Sequence, residues 1–594
     1  MILLTLVPRS NCSTMKTLLR SAILTSFGRI QPLPGSLHGH RRLLSAPISA
    51  KSGVLSSGGQ QLPEYFNYAS DVLDKWSQME KDGKRPPNPA LWWINGRGGE
   101  VRWSFEELGA LSRKAANVLS DHCGLQKGDR VVVILPRIPE WWLVTVACLR
   151  TGVVAIPGTT QLTAKDIQYR LQASKAKCLI TTDALAPAVD SIAAECPFLK
   201  TRLMVSEGKR DGWSNFSSLC KEASADHTCV KTKLLDPMMA FFTSGTTGSP
   251  KMAEHSQGSL GFRPVWNERY WLDLTPSDTM WCTADTGWVV AAIGSLFDPW
   301  ALGSGVFVHP LPQVESTTIL NTLSRFPVTA ILGAPTLFRM LVQNDLTSYR
   351  FMSLKYCVSG GEPLNPEVLE QWKSKTGLDI FEVYGQTETG MTCSTLRGMK
   401  IKPGSMGKAC APYDVQIVDE DANVLPPEKE GTIAIKVKPE RPLGLFSCYV
   451  DNPEKTAATE RGSFYITGDR GKKDKDGYVW FVGRDDDIIN ASGYRIGPFE
   501  VESALLEHPA VTEAAAVSSP DPLRGEVVKA FVVLSLKYTS QDKEKLTHEL
   551  QEHVKKVTAP YKYPRKVEFV QELPKTITGK IRRNELRKKE WGDV

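Results

Sequence analysis

From about residue 64 to residue 404 the chain alternates short, wholly apolar runs with amphipathic stretches. Val131-Val132-Val133-Ile134-Leu135, Val153-Val154-Ala155-Ile156-Pro157 and Lys177-Cys178-Leu179-Ile180-Thr181 read as buried strands, and residues 140–151 and 165–173 between them read as helices. Strands covered on both faces are apolar throughout, so this alternation predicts parallel strand–helix units. It recurs with strands at 279–283, 328–332, 354–358 and 379–383, and Pro237-Met238-Met239-Ala240-Phe241-Phe242 reads as one more buried strand. After Gly404 the period shortens to two residues, at 414–418 and 431–437, which predicts antiparallel strands of a small barrel or sheet. The charged cluster Gly483-Arg484-Asp485-Asp486-Asp487 follows a strand at 478–482. Beyond it come a helix (500–507), two strands (513–517 and 527–536), a helix (543–557) and a basic tail. The predicted fold is α/β: a large N-terminal domain over 64–484, made of α/β subdomains plus a small antiparallel barrel, then a small α+β C-terminal domain over 485–594.

The formal charge of +7 is not spread evenly. Residues 1–63 hold no Asp or Glu and carry Arg9, Lys16, Arg20, Arg29, Arg41, Arg42 and Lys51. Seven of the 72 basic residues therefore lie there, leaving 65 against 65 acids in the body, which gives no reason to expect a nucleic-acid partner. An acid-free, Arg- and Ser-rich start predicts a mitochondrial transit peptide over 1–50, cleaved between Arg42 and Ala50, and hence the matrix. The rival is a secretory signal, since residues 2–7 are apolar, but no positive region precedes that run. The twelve cysteines form no C-x-x-C pair, which argues against zinc ribbons and redox dithiols. No uncharged apolar run approaches the ~18–20 residues of a spanning helix. The best, 141–149, stops at Arg150.

The densest candidate chemistry follows the strand at 237–242. Thr243-Ser244-Gly245-Thr246-Thr247-Gly248-Ser249-Pro250-Lys251 packs hydroxyls, glycines and an ammonium into nine residues. Such a loop can turn N–H and O–H donors toward an anion, the bland reading being a polar turn. The Walker spacing is absent, which argues against the usual nucleotide-hydrolysis folds. Four more segments stand downstream: Val358-Ser359-Gly360-Gly361-Glu362-Pro363; Phe381-Glu382-Val383-Tyr384-Gly385-Gln386-Thr387-Glu388; Tyr465-Ile466-Thr467-Gly468-Asp469 with Arg484 fifteen residues on; and Leu573-Pro574-Lys575-Thr576-Ile577-Thr578-Gly579-Lys580. The first two follow predicted strands, where open α/β sheets bind ligands.

In this order and spacing the five segments resemble the adenylate-forming superfamily of acyl-CoA synthetases, luciferases and peptide-synthetase adenylation domains, over essentially everything after residue 64. Thr283-Ala284-Asp285-Thr286-Gly287-Trp288 and Ala559-Pro560-Tyr561-Lys562-Tyr563-Pro564-Arg565 resemble the mitochondrial medium-chain acyl-CoA synthetases most. The resemblance implies two half-reactions: a carboxylate attacks ATP–Mg²⁺ to give an acyl-adenylate and diphosphate, then the thiol of coenzyme A displaces AMP. It implies ATP contacts from Thr243 through Lys251, from Glu382 through Thr387, and from Asp469 (ribose), Arg484 and Lys580. Tyr384 would stack on adenine. Lys580, Thr387 and Lys251 would act on the reacting groups, with Lys580 needed in the first step only. Glu388 would hold Mg²⁺, a hard cation that takes carboxylate and phosphate oxygens. Trp288, Gly361 and Thr387 would border the acyl group; for Trp288 a core tryptophan is the competing reading. Coenzyme A contacts would come from Gln161, Ser492, Gly493, Tyr494, Arg495, Arg524, Tyr563, Pro564 and Arg565. The small domain would be mobile, rotating about Asp486 between steps. The other basic residues of the tail (Arg582, Arg583, Arg587, Lys588, Lys589) are expected to form a solvated face. Expected substrates are fatty acids of about four to twelve carbons, with short-chain or benzoate-like acids as alternatives; oligomeric state is not legible. A peptide-synthetase domain would need a carrier domain, and 14 residues follow Lys580. No residue pattern favours a luciferase-like oxygenase. A pseudoenzyme that binds ATP or acyl groups would be expected to lack Lys580, Glu388 or Lys251; all three are present.

Overall fold

The computed structural model describes residues 55–57, 60–243, 250–266, 271–311, 315–491, 494–522, 525–558, 560–576 and 580–592. The proposed transit peptide, Ser244 through Ser249, Ser492, Gly493, Arg524 and Ile577-Thr578-Gly579 lie outside them, as do the side chains of Tyr494 and Arg495. Residues 48–594 form one compact unit.

An eight-stranded sheet is built on β1 (Arg130–Ile134), flanked in parallel by β2 (Val154–Pro157) and β3 (Cys178–Thr182). Helix α1 (Pro139–Thr151) joins β1 to β2, starting on Pro139 and ending at Gly152 in the left-handed conformation. Helix α2 (Ala164–Ser174) joins β2 to β3 from a capping box made by Thr163 and Asp166. Strand β4 (Pro237–Thr243) lies parallel to β2, and β5 (Lys251–Ser256) returns antiparallel to it with Thr243 opposite Lys251.

A nine-stranded sheet carries β6 (Thr279–Cys282), β7 (Gly305–Val308), β8 (Ala330–Gly333), β9 (Tyr356–Gly360), β10 (Ile380–Gln386) and β11 (Gly390–Ser394). The strands β6 to β10 are parallel, and β11 folds back on β10. Phe307, Ile331, Cys357 and Ile380 on these strands pack with Phe338 and Trp372 from the covering helices. The two-residue period after Gly404 becomes an antiparallel five-stranded sheet containing β12 (Val415–Val418) and β13 (Glu430–Lys436), paired Val415 to Ile435. Two residues, β14 (Cys448–Tyr449), leave that region to extend the eight-stranded sheet against β5. The short α3 (Pro453–Ala457) follows, then β15 (Phe464–Lys473) and β16 (Val479–Arg484). The charged cluster is therefore split: Arg484 ends β16, paired in register with Asp469, and the turn begins after it.

The C-terminal segment packs α4 (Pro498–Leu506) and α5 (Lys543–Val557) on β17 (Val511–Asp521) and β18 (Gly525–Leu534) through Val501, Leu505, Ala530 and Leu550. Two expectations for the tail are corrected. It contributes β19 (Lys566–Val570), parallel to β18, and α6 (Arg583–Trp591). Nor do its arginines all face water: Arg583 forks onto Glu502 at 2.6–3.0 Å, and Arg587 pairs with Asp487 beside the turn. Acidic residues on neighbouring elements, 81 and 100 positions away, turn a basic helix face inward. Arg150, which stops the longest apolar run, is buried and paired with Asp74 at 2.7 Å. Among the described residues no helix is long and apolar enough to cross a membrane.

Candidate active site

Gln161, Trp288, Gly361 and Gln386 to Glu388 follow the carboxyl ends of β2, β6, β9 and β10, while Lys251, Asp469 and Arg484 come from the antiparallel strands β5, β15 and β16. Strand β9 delivers Gly360 and Gly361; Gly361 takes φ +94°, a conformation open to glycine and strained for other residues. Strand β10, in register with β9 through Ser359 and Glu382, delivers Tyr384, Gly385 and Gln386. Glycine is obligatory at 385 because a Cβ there would stand 1.8 Å from the carbonyl oxygen of Gly390 on β11. That close crossing leaves Thr387 and Glu388 in the turn between the strands.

Asp469, buried on β15, ties the site together. Its Oδ2 accepts from the Tyr384 hydroxyl at 2.6 Å and from Gln386 Nε2 at 2.7 Å, and its Oδ1 accepts from Arg484 Nη1 at 2.9 Å. Gln386 Nε2 also donates to the Thr467 carbonyl at 2.8 Å. Burial works against the Arg484 guanidinium, but Asp469 and then Asp486 outweigh it and raise its pKa. Glu382 is buried with Oε1 on the Leu364 N–H at 3.4 Å, and burial pushes its carboxyl up to about 8.

Three residues of the site carried no role on sequence grounds. The Tyr449 hydroxyl donates to Glu388 Oε1 at 2.6 Å, and Lys251 Nζ lies 5.5 Å from the Tyr449 ring centroid. Burial lowers the Lys251 pKa; among charges Lys455 adds most to this, Glu388 opposes it and Arg484 adds less. His255, fully buried, meets the Thr387 carbonyl at 2.7 Å through Nε2 and Ser259 Oγ at 3.1 Å through Nδ1. Burial brings its pKa down to about 4, so it is the neutral tautomer donating from Nε2 that holds the Thr387 turn. His255 belongs to the stretch that opens with Thr243, but a partner 132 residues away leaves no local signal.

Trp288 is half-buried at the start of a helical turn, and its indole nitrogen has no hydrogen bond among the described residues. Its loop lies against the end of β2, where Thr159 Oγ1 meets Asp285 Oδ2 at 3.3 Å and the Gln161 N–H at 3.4 Å. Tyr563, Pro564 and Arg565 lie apart from this cluster, on the C-terminal segment. There Gln551 holds the Pro564 carbonyl at 3.0 Å and the Tyr563 ring meets Arg565 and Lys555. Lys580 is exposed and bonded locally, its N–H on Thr576 Oγ1 at 3.1 Å. The C-terminal segment touches the β9 loop through Asn365 and Ser503 at 3.0 Å. Among the described residues no cluster of three or more His, Cys, Asp or Glu could cage a metal. A lone Glu388 suits Mg²⁺, which takes one or two carboxylates together with phosphate oxygens and water.

Carboxylates, an aromatic ring and cations converge where parallel β10 meets the antiparallel strands β5, β15 and β16, a donor set suited to a nucleotide. The AMP-binding enzyme family model matches residues 79–450, and that of the AMP-binding enzyme C-terminal domain matches 500–580. Human mitochondrial acyl-coenzyme A synthetase ACSM5 is 61% identical over 97% of this chain and 100% of its own, and human ACSM3 is 66% identical over 90% and 91%. Among solved structures, the anthranilate CoA ligase AuaEII in complex with anthranoyl-AMP superposes with TM-score 0.80 at 28% identity, covering 89% of this chain and 98% of that one. ATP-bound MatB from Rhodopseudomonas palustris gives 0.76 at 27%, covering 87% and 99%. The chain belongs to the AMP-binding enzymes and, within them, to the mitochondrial acyl-coenzyme A synthetases. It is an AMP-forming acid–CoA ligase that uses ATP, Mg²⁺ and coenzyme A.

Proposed function

We propose that this protein activates medium-chain fatty acids in the mitochondrial matrix, with the large domain (64–484) binding ATP and acid and the small domain (485–594) supplying Lys580. The observation that carries this reading is the Tyr384–Gln386–Asp469–Arg484 network standing beside Lys251 and Glu388. Asp469 accepts from the ribose, Tyr384 covers the adenine, and Thr243 through Lys251 with Thr387 contact the phosphates. Glu388 would hold Mg²⁺, which would supply charge neutralisation for the phosphates when bound. The substrate carboxylate oxygen then attacks the α-phosphorus, the bond to the bridging oxygen breaks, and diphosphate leaves. Two anions meet in this step, and the ammonium groups of Lys580 and Lys251 stabilise the charge that builds on the phosphoryl oxygens. In the second step the CoA sulfur attacks the acyl carbon, AMP leaves and the thiol proton is released. The turn at Asp486 lets the small domain exchange Lys580 for a CoA-facing surface, where Gln161, Ser492 to Arg495, Arg524 and Tyr563 to Arg565 hold the coenzyme. Trp288 and Gly361 border the acyl chain. The N-terminal 50 residues serve as the transit peptide.

The test is carboxylate-dependent ATP–diphosphate exchange without CoA, run from acetate through palmitate and with benzoate. A maximum at medium chains is the expected result. A maximum only at acetate, palmitate or benzoate would overturn the substrate class. ATP binding without exchange for any acid would favour the pseudoenzyme reading.

A further inference from the structure

Tyr449 is the meeting point of three charged segments. Its hydroxyl is on Glu388, its ring is beneath Lys251, and its backbone N–H donates to Thr456 Oγ1 at 2.9 Å. That last bond pins the last turn of α3 to β14, which is itself paired with β5 through Tyr449 and Ala253. Asn452 caps α3 by accepting the Lys455 N–H at 3.1 Å. The backbone of Lys455 is thus fixed next to Thr456 and Tyr449, in the neighbourhood of Lys251, whose ammonium it disfavours by like charge. Lys455 is exposed and makes no ion pair among the described residues. Arg484 is met by Asp469 and Asp486, so Glu388 is the carboxylate left to face Lys251 and Lys455.

Like charges held close on fixed backbone repel, and a ligand of high negative charge density relieves them. The ribose end of ATP lies at Asp469, so the part of the nucleotide that reaches Lys251 and Lys455 is the one with most charge, the β- and γ-phosphates. We propose that Lys455 is a further binding residue of this enzyme, holding the β- and γ-phosphates of ATP and the diphosphate product together with Lys251. The proposal rests on the reading of this site as the ATP site. An ammonium is a compact point charge with three donors, matched to phosphate oxygens whose direction changes as diphosphate departs.

The test uses the full mature chain and inorganic diphosphate with Mg²⁺ as the probe, titrated calorimetrically into wild type, Lys455→Ala and Lys455→Arg, with AMP titrated in parallel. Loss of one charge-assisted contact predicts diphosphate binding weakened ~10-fold or more in Lys455→Ala, partial recovery in Lys455→Arg, and AMP affinity unchanged. The diphosphate inhibition constant in the exchange assay should shift by the same factor. Equal diphosphate affinity in wild type and Lys455→Ala overturns the proposal, as do equal losses for AMP and diphosphate or no diphosphate binding by wild type. Absence of acid-dependent exchange in wild type would instead count against the proposed function, and the calorimetric comparison would still decide the role of Lys455.

Discussion

Replacing Asp469 by Asn removes one charge and almost no volume. The wild-type carboxylate offers roughly four lone-pair sites, and Tyr384, Gln386 and Arg484 take three of them at 2.6, 2.7 and 2.9 Å. About one is left for a ribose hydroxyl, and a second hydroxyl would have to displace Tyr384 or Gln386. In Asp469→Asn one oxygen becomes an NH₂ group. Turned one way it faces the guanidinium of Arg484; turned the other it faces the Tyr384 hydroxyl and the Gln386 amide. Either way a donor meets a donor in a buried site. A hydrogen bond to a charged group contributes about 1.5–3 kcal/mol. The variant should therefore lose ~10- to 150-fold in kcat/KM for ATP, at 1.4 kcal/mol per tenfold. ATP–diphosphate exchange against ATP and 3′-deoxy-ATP separates recognition from general damage. Wild type should prefer ATP, and the variant should have lost that preference. A variant that is slow but keeps the wild-type preference would refute ribose reading by Asp469, and so would an unchanged kcat/KM.

Lys580→Ala should slow adenylate formation ~10²–10³-fold, by analogy with losing one preorganised donor, while thioester formation from supplied acyl-adenylate stays near normal; equal damage to both steps, seen by quenched-flow, contradicts a first-step role. Gly385→Ala would drive a methyl to 1.8 Å from the Gly390 carbonyl, separating β10 from β11 at a cost of about 1–3 kcal/mol; unfolding titrations that superpose on wild type would show that the crossing has slack. His255 has a folded pKa of about 4 against 6.5 unfolded, so below pH 6.5 the unfolded chain binds the extra proton. Its contribution is complete above that pH and falls as pH drops toward 4, by about 2 kcal/mol at pH 5. His255→Gln should flatten this fall in denaturant midpoints between pH 7 and 5, and parallel curves for the two proteins would assign it to other groups.

The period of the hydrophobic pattern by itself determined the element order. A strand buried on both faces is apolar at every position, so the central strands of both large sheets were legible, as Val131 to Leu135 against Arg130–Ile134 illustrates, whereas Gly305–Val308, Lys251–Ser256 and Gly390–Ser394 were not read. The helix read at 543–557 coincides with α5 (Lys543–Val557), because Asp542 caps it locally. Tyr384, Gln386, Asp469 and Arg484, which the structure joins, were legible too, because each lies in a short string on or next to a strand. Tertiary structure decided what joins those strings. Tyr449 was hidden because its two-residue strand has no pattern of its own and gains meaning only against β5. His255 was hidden because it acts on the Thr387 carbonyl, and a backbone atom leaves no mark in sequence. Arg583 and Arg587 were read as solvated because a basic tail normally is, until Glu502 and Asp487 were brought to face them. Local pattern reports what a segment must bury, whereas the partner of a buried polar or charged group is chosen by chain segments tens to hundreds of residues away.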